Sequence, residues 1–260
     1  MFIAQFKDGS MFKKIVESIK DIVNDVNLET SPNGISLQAM DSSHVALVQL
    51  RLERDAFEDD YRSDKSMVLG INMANLAKIM KLAQNDDVII LKTDENSGKL
   101  TIILKNTNMG RHATFDLNLF NIDSESLGIP DTEYSAKVRM PSSEFTKMCK
   151  DVYLISETLT IEATKEKVIF SVEGDVGKGN IELEHIEKEN SVDSTILQVS
   201  DPVKLSFALR YINMFNKAST ISQCVSFMMS AESPLVVEYS QQGQCSLKFY
   251  LAPKISEEPA

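Results

Sequence analysis

The stretch Leu117–Tyr134, LNLFNIDSESLGIPDTEY, lies near the middle of the 260-residue chain. Its run from Asp123 to Glu125 is acidic, and its end contains both Gly128 and Pro130. Glycine frees the backbone, whereas proline fixes φ and removes an amide donor, so neither a helix nor a central strand fits there. We therefore predict an extended surface connector, and the sequence on its two sides follows one pattern.

Each half of the chain contains an amphipathic helix close to its start. In Gly9–Val23 the apolar residues recur at spacings of three and four, with Ser10 as the expected N-cap. The segment FKKIV at Phe12–Val16 lines up with FTKMC at Phe145–Cys149 in the second half. A second helix is predicted in each half, at Asn72–Gln84 and Ala208–Ala218, among alternating strands.

The repeated pattern predicts a duplicated domain. Alternating strands with single helices favour an α+β fold in which antiparallel sheets carry the helices on one face. We expect an N-terminal domain at 1–117, the connecting loop at 118–134 and a C-terminal domain at 135–260.

Charge is unevenly distributed along the chain. The net charge is −11, which by itself argues against a nucleic-acid partner. The four helix windows, however, hold nine basic and four acidic residues, so the rest of the chain carries −16. The basic residues are Lys13, Lys14, Lys20, Lys78, Lys81, Lys147, Lys150, Arg210 and Lys217. If the helices share a surface, it would attract phosphates without reading bases.

No motif in the sequence indicates catalysis, a metal or a cofactor. Asp41, Ser42 and His44 have the residue types of a catalytic triad, but triads are assembled from distant segments. A turn between strands explains these residues as well. His112 and His185 have no partners at metal-ligand spacing, and no phosphate-binding loop occurs. No apolar run is long enough to span a membrane.

Several stretches carry a family resemblance: LQAMDSSHVALVQL (37–50), RMPSSEF (139–145), FALRYINMF (207–215), SPLVVEY (233–239) and LAPKI (251–255). Over its whole length the chain resembles the proliferating cell nuclear antigen family of eukaryotic DNA sliding clamps. The resemblance implies a ring of three subunits, each with two similar clamp domains. Antiparallel sheets would lie outside and four helices would line the hole, with the nine basic residues facing DNA. Leu154 stands where relatives often carry histidine.

The resemblance also implies a pocket for partner peptides beneath the connector. Its residues would be Met40, His44, Leu47, Leu127, Ile129, Pro234, Tyr250, Ala252 and Pro253. Ring closure would pair Gly110–Leu117 of one subunit with Asp175–Glu184 of the next, with Phe115 in the joint. Lys165 matches the lysine that relatives modify with ubiquitin.

The resemblance implies a homotrimeric, nuclear processivity factor, and no motif in the sequence points to an enzyme or a cofactor. The implied partners are duplex DNA, two further copies of the chain, DNA polymerase, clamp loader, flap endonuclease, DNA ligase and other proteins with a PCNA-interacting peptide, but no membrane. Three alternatives stay open: a checkpoint-type clamp subunit of a heterotrimer, a hydrolase using Ser42 or Ser43 with His44, and a β-rich scaffold that binds no DNA.

Overall fold

A computed structural model describes residues 1–95, 97–123, 128–129, 132–188 and 192–255. The chain divides into two compact units. Unit 1 comprises Met1–Gly128 with Ser240–Leu247, and unit 2 comprises Ile129–Tyr239 with Lys248–Ala260. The predicted connector lies partly outside the described residues, at 124–127 and 130–131. The domain boundaries at 117 and 135 stay a prediction.

Unit 1 contains two helices and two antiparallel arrays of strands. Its elements are β1 Phe2–Gln5, α1 Gly9–Ile19, β2 Asp25–Ser31, β3 Gly34–Met40, β4 Ala46–Glu53, β5 Arg62–Ser63, β6 Met67–Asn72, α2 Met73–Met80, β7 Val88–Thr93, β8 Lys99–Asn106 and β9 Arg111–Asn118. The strands are hydrogen-bonded in the orders β5-β1-β7-β8-β9 and β6-β2-β3-β4. Helix α1 packs beside α2.

The remaining elements repeat this arrangement. They are β10 Ala136–Pro141, α3 Ser142–Tyr153, β11 Thr158–Ala163, β12 Lys167–Gly174, β13 Gly177–Glu184, β14 Ile196–Val199, β15 Val203–Ala208, α4 Leu209–Phe215, β16 Cys224–Met229, β17 Leu235–Gln241 and β18 Cys245–Leu251. Their orders are β14-β10-β16-β17-β18 and β15-β11-β12-β13. Helix α3 packs beside α4.

The two sets of strand orders correspond element by element, with β10 in the place of β1 and β11 in the place of β2. The aligned helix segments agree in burial as well. Phe12 and Phe145 are buried, as are the residues three and four positions after each of them. The predicted duplication and the α+β class with antiparallel sheets are therefore confirmed.

Some element ends differ from the sequence prediction. Asp8 rather than Ser10 caps α1, because its carboxylate accepts the Ser10 and Met11 amides at 2.9 and 3.2 Å. Helix α2 ends at Met80, although the buried Ala83 continues the apolar pattern from the turn beyond it. Helix α4 has only seven residues before the chain tightens into a 3₁₀ turn at Asn216–Thr220.

The start of the connector is attached to unit 1. The Phe120 amide donates to the Gly70 carbonyl at 2.9 Å, and the Asn27 side-chain amide donates to the Ile122 carbonyl at 3.0 Å. A Cβ atom on Gly70 would lie 2.0 Å from the Phe120 carbonyl oxygen, so only glycine permits this approach. These contacts fix the connector's course as far as Ile122.

Candidate DNA-facing helices and partner-docking groove

Seven of the nine predicted DNA-facing side chains are exposed. In unit 1 these are Lys14, Lys78 and Lys81, and in unit 2 they are Lys147, Lys150, Arg210 and Lys217. The apolar faces of the same helices are buried, with Ile15, Leu76, Phe145 and Ile212 each at most 1 % exposed. Each helix therefore has an apolar inner face and presents its basic residues to solvent. Lys217 lies on the 3₁₀ turn after α4.

The other two lysines are half-buried and engaged within unit 1. The Lys13 ammonium donates to the Ala83 carbonyl at 2.6 Å, which links α1 to the turn after α2. Lys20 forms an ion pair with Glu17 at 2.7 Å. The hydrogen bond to Glu17 raises the pKa of Lys20. Their assignment as DNA-facing residues stays a prediction, and both already have protein partners.

A buried carboxylate holds the turn that follows α2. Asp87 accepts the Gln84 amide at 2.9 Å and the Asn106 side-chain amide at 3.0 Å, and it forms an ion pair with Arg111. The same guanidinium donates to the Leu82 carbonyl at 3.2 Å. Burial alone would raise the pKa of Asp87, but these hydrogen bonds and the Arg111 charge leave it lowered. The turn after Lys81 is thereby tied to the first residue of β9.

In unit 2 a buried hydrogen bond accompanies the break in α4. Tyr239 is fully buried, and its hydroxyl donates to the Asn216 side-chain oxygen at 2.8 Å. Asn216 opens the 3₁₀ turn that carries Lys217. Burial raises the pKa of the neighbouring Cys149 thiol to about 12, so this cysteine is an inert core residue. Sequence periodicity alone gave no sign of this arrangement.

Unit 1 contains a groove of about 370 Å³ that includes three of the predicted pocket residues. It is lined by Asp25, Val26, Asn27, Gln38, Ala39, Met40, His44, Leu47, Ile122 and Asp123. Met40 is 36 % exposed, although it is a large apolar side chain. Sequence reasoning missed the β2 residues and Ile122, because β2 itself was not predicted. The lining of the groove combines apolar side chains with a few polar groups, as ligand sites commonly do.

The loop that carries His44 is held by a buried carboxylate. Asp41 accepts the Val45 and Ala46 amides at 2.8 and 2.7 Å and the Ser43 amide at 3.2 Å. His44 has a φ of 56°, which is uncommon for a residue other than glycine. The Asp41 carboxylate thus braces the loop, which fits the turn interpretation of this segment.

The other predicted pocket residues belong to unit 2 or lie outside the described residues. Ile129, Tyr250 and Pro253 are half-buried, whereas Pro234 and Ala252 are exposed. Burial raises the pKa of Tyr250 to about 12. Leu127 is among the residues that the structure does not describe. Membership of all these residues in one pocket stays a prediction.

Each unit has one long strand at a sheet edge. Strand β9 follows β8 at the end of its order, and β13 follows β12, with no further strand beside either in the described part of the chain. Phe115 on β9 is half-buried, as are Ile181 and Leu183 on β13. An edge of this kind offers unpaired backbone donors and acceptors to another chain.

Lys165 lies at the tip of the turn between β11 and β12, where its side chain is exposed. The Thr164 hydroxyl oxygen accepts the Lys167 amide at 3.2 Å and shapes this turn. The position is accessible for chemical modification. Across the described ranges, no group of three or more His, Cys, Asp or Glu residues is arranged to hold a metal ion. No helix in those ranges is long and apolar enough to cross a membrane.

Two repeats of this topology, each with a pair of basic helices, define the class of DNA sliding clamps. The chain matches the family models described as proliferating cell nuclear antigen, N-terminal domain, over residues 1–127, and C-terminal domain, over residues 128–254. A proliferating cell nuclear antigen from Chaetomium thermophilum (strain DSM 1495 / CBS 144.50 / IMI 039719) is 43% identical over 259 residues, which cover 99% of this chain and 100% of that protein.

The chain therefore belongs to the proliferating cell nuclear antigen family. Clamps of this family are non-enzymatic scaffolds that act on DNA in replication, so the expectation that the chain is not an enzyme is confirmed by its family. The hydrolase and the scaffold without DNA binding are thereby ruled out, and nothing supports the checkpoint-type subunit.

Proposed function

We propose that three copies of this chain close head to tail into a ring around duplex DNA. The ring serves as a processivity factor for a replicative polymerase and as a docking platform for replication and repair proteins. A closed ring does not leave DNA sideways, so weak, sequence-independent phosphate contacts suffice and allow sliding. Tethering a polymerase to the ring raises its effective concentration at the primer end.

The observation that carries this proposal is the pair of free strand edges. In the repeat, β9 is the counterpart of β18 and β13 is the counterpart of β4. Within unit 1, β4 is hydrogen-bonded to the residue that precedes β18, because the Glu53 amide donates to the Gln244 carbonyl at 2.9 Å. Joining β9 of one chain to β13 of the next would repeat this pairing between subunits, with Phe115 in the joint. Such head-to-tail contacts generate rings when the rotation closes.

The exposed lysines support the proposed DNA contact. Lys14, Lys78 and Lys81 on the first helix pair and Lys147 and Lys150 on α3 point away from the buried faces of their helices. In a protein of net charge −11, such basic helices are the surface that attracts phosphates. The acidic remainder would keep DNA away from the rest of the ring.

Partner proteins would dock through a peptide that places apolar and aromatic side chains in the groove of unit 1. The exposed Met40 beside Leu47 supports this assignment, since apolar pockets with a polar edge hold aromatic anchors. Polymerase, clamp loader, flap endonuclease and DNA ligase are the proposed partners, and the nucleus is the proposed location. The exposed Lys165 is the proposed site of ubiquitin attachment.

The proposed function is tested by polymerase processivity on singly primed DNA with a clamp loader. We expect long products only when the wild-type protein, clamp loader and ATP are all present. A variant with Met40→Ala and His44→Ala should assemble normally but lose polymerase stimulation. Product lengths that do not depend on the protein would contradict the proposal.

Sedimentation equilibrium of the chain purified alone separates the homotrimer from the checkpoint-type alternative. We expect a single species containing three chains at micromolar concentration. A chain that stays monomeric until other clamp subunits are added would instead support the heterotrimer.

A further inference from the structure

Unit 2 contains a counterpart of the groove in unit 1. It has a volume of about 450 Å³ and is lined by residues of β11, β12, β13 and β15, which correspond to β2, β3, β4 and β6. The strand register is the same in both units: Asn27 pairs with Gly70 in one, and Thr160 pairs with Ser206 in the other. The duplication that produced two units has therefore also produced two grooves.

His44 and the connector residues Ile122 and Asp123 line only the groove of unit 1. On the strands that the two grooves share, they differ at one cross-strand pair. In unit 1, Met40 on β3 lies opposite Leu47 on β4. At the equivalent register in unit 2, Glu173 on β12 lies opposite Lys178 on β13, and their side chains form an ion pair at 2.6 Å. An apolar pair in one groove is thus replaced by opposite charges in the other.

The ion pair makes the second groove a poor place for an apolar anchor. Glu173 and Lys178 are 68% and 75% exposed, so water still solvates both charges. An apolar side chain seated on them would remove that water and supply no new hydrogen bond, so the cost of desolvating the charges opposes the gain from its burial. Met40 and Leu47 impose no such cost, because they have no charge to desolvate.

We propose that the Glu173–Lys178 ion pair restricts apolar partner peptides to one groove per chain. The two residues act as specificity determinants by exclusion, since they penalise the wrong site rather than strengthen the right one. This inference rests on the proposed docking function of the unit 1 groove. Exposed ion pairs contribute little to stability. The proposal therefore gives this surface ion pair a role in specificity instead.

Titration calorimetry with a synthetic PCNA-interacting peptide measures the number of sites. The test variant combines Glu173→Met with Lys178→Leu, which recreates the apolar pair of unit 1 without changing the net charge. We expect one peptide per chain for the wild type and two for this variant. A photoreactive group on the peptide should then crosslink to β12 or β13 in addition to unit 1.

Two control variants isolate the position and the charge. Lys65→Leu with Glu95→Met removes an exposed ion pair of unit 1, at 3.2 Å, which lies outside both grooves and outside β9 and β13, and it should keep one site. Glu173→Lys with Lys178→Glu reverses the pair in place and should also keep one site. Sedimentation of each variant checks that assembly is intact. Should the apolar variant misfold, Glu173→Gln with Lys178→Met offers a milder removal of both charges.

The possible outcomes distinguish a failure of the proposed role of the ion pair from a failure of the proposed docking function of the unit 1 groove. One peptide per chain in both the wild type and the charge-removing variants would overturn the role of the ion pair alone. A second site in the Lys65→Leu, Glu95→Met control as well would overturn it too, since any added apolar surface would then suffice. A wild-type chain that binds no peptide would contradict the docking function itself.

Discussion

Asp87 has no exposed side-chain surface, and it is held by the Gln84 amide, Asn106 and Arg111. A buried carboxylate is tolerated only when such partners replace its water. Its position matters because it shapes the turn after Lys81, a proposed DNA contact, and binds Arg111 at the start of the free edge strand β9. One residue thus connects the two surfaces on which the proposed function depends.

We predict that Asp87→Asn lowers the free energy of unfolding at pH 7 by about 2–4 kcal/mol, because it leaves Arg111 without its charge partner. The folded-state pKa of Asp87 is lowered, so its stabilisation is complete above the ordinary value of about 3.9 and is lost as pH falls through the folded value. The difference between variant and wild type should therefore shrink below about pH 4. Urea unfolding at pH 7, 5 and 3 measures this.

The matched control is Asp116→Asn, which removes an exposed carboxylate paired with Lys99 at 3.7 Å. Its effect should stay within about 1 kcal/mol, as for other exposed ion pairs. An Asp87→Asn protein as stable as the wild type at pH 7 would show that the buried cluster does not hold the turn.

At the scale of elements, the edge strands β9 and β13 and the basic helices carry the proposed assembly and DNA contact. Phe115 on β9 and Ile181 and Leu183 on β13 are only half-buried, although their neighbours inside the sheets, such as Ile102 and Phe170, are fully buried. A partner strand would complete their burial. The helices need no partner to complete the burial of their apolar side chains, because those faces are already buried within each unit.

We predict that Phe115→Lys separates the assembly into folded single chains. The substitution removes about 1.5–3 kcal/mol of apolar burial at each joint and introduces a charge there. Thr114→Lys, on the exposed face of the same strand, adds the same charge and should leave the assembly intact. Analytical ultracentrifugation distinguishes the two. An unchanged sedimentation coefficient for Phe115→Lys would place the joint elsewhere.

We predict that Lys81→Glu combined with Lys147→Glu weakens duplex binding and its dependence on salt. Each lost phosphate contact should make the slope of log K against log salt shallower by about 0.9. The control variant, Lys92→Glu with Lys105→Glu, changes two exposed strand lysines by the same charge and should bind like the wild type. Fluorescence anisotropy at several salt concentrations gives both slopes. Equal slopes for the two variants would contradict the assignment of the helices.

Features that depend on local sequence could be predicted, whereas features that depend on contacts between distant residues could not. Val88–Thr93 alternates between inward and outward residues and could be predicted with its observed bounds. Strand β2 alternates as well, with Val26 and Leu28 buried and Asp25 and Glu29 exposed, and was missed. The burial of Asn27 between Val26 and Leu28, however, could not be predicted. That burial depends on the distant Ile122 carbonyl. The partial burial of Lys13 could not be predicted either, because its ammonium donates to the carbonyl of Ala83, which lies 70 residues away in the sequence.

At the scale of the whole molecule, the central claim is that three chains enclose duplex DNA. Family membership establishes a sliding clamp, and the repeated strand orders give each chain two copies of one unit. Three such chains joined edge to edge would place six similar units around one axis. Binding would then depend on topology more than on affinity, which distinguishes a ring from a protein that only coats DNA.

Retention on circular and linear DNA tests this claim most directly. The protein is loaded by a clamp loader onto nicked circular DNA, and free protein is removed by gel filtration at high salt. We expect it to stay with the circle and to be released when a single restriction cut opens the DNA, since it can then slide off the ends. Equal retention before and after the cut would contradict encirclement.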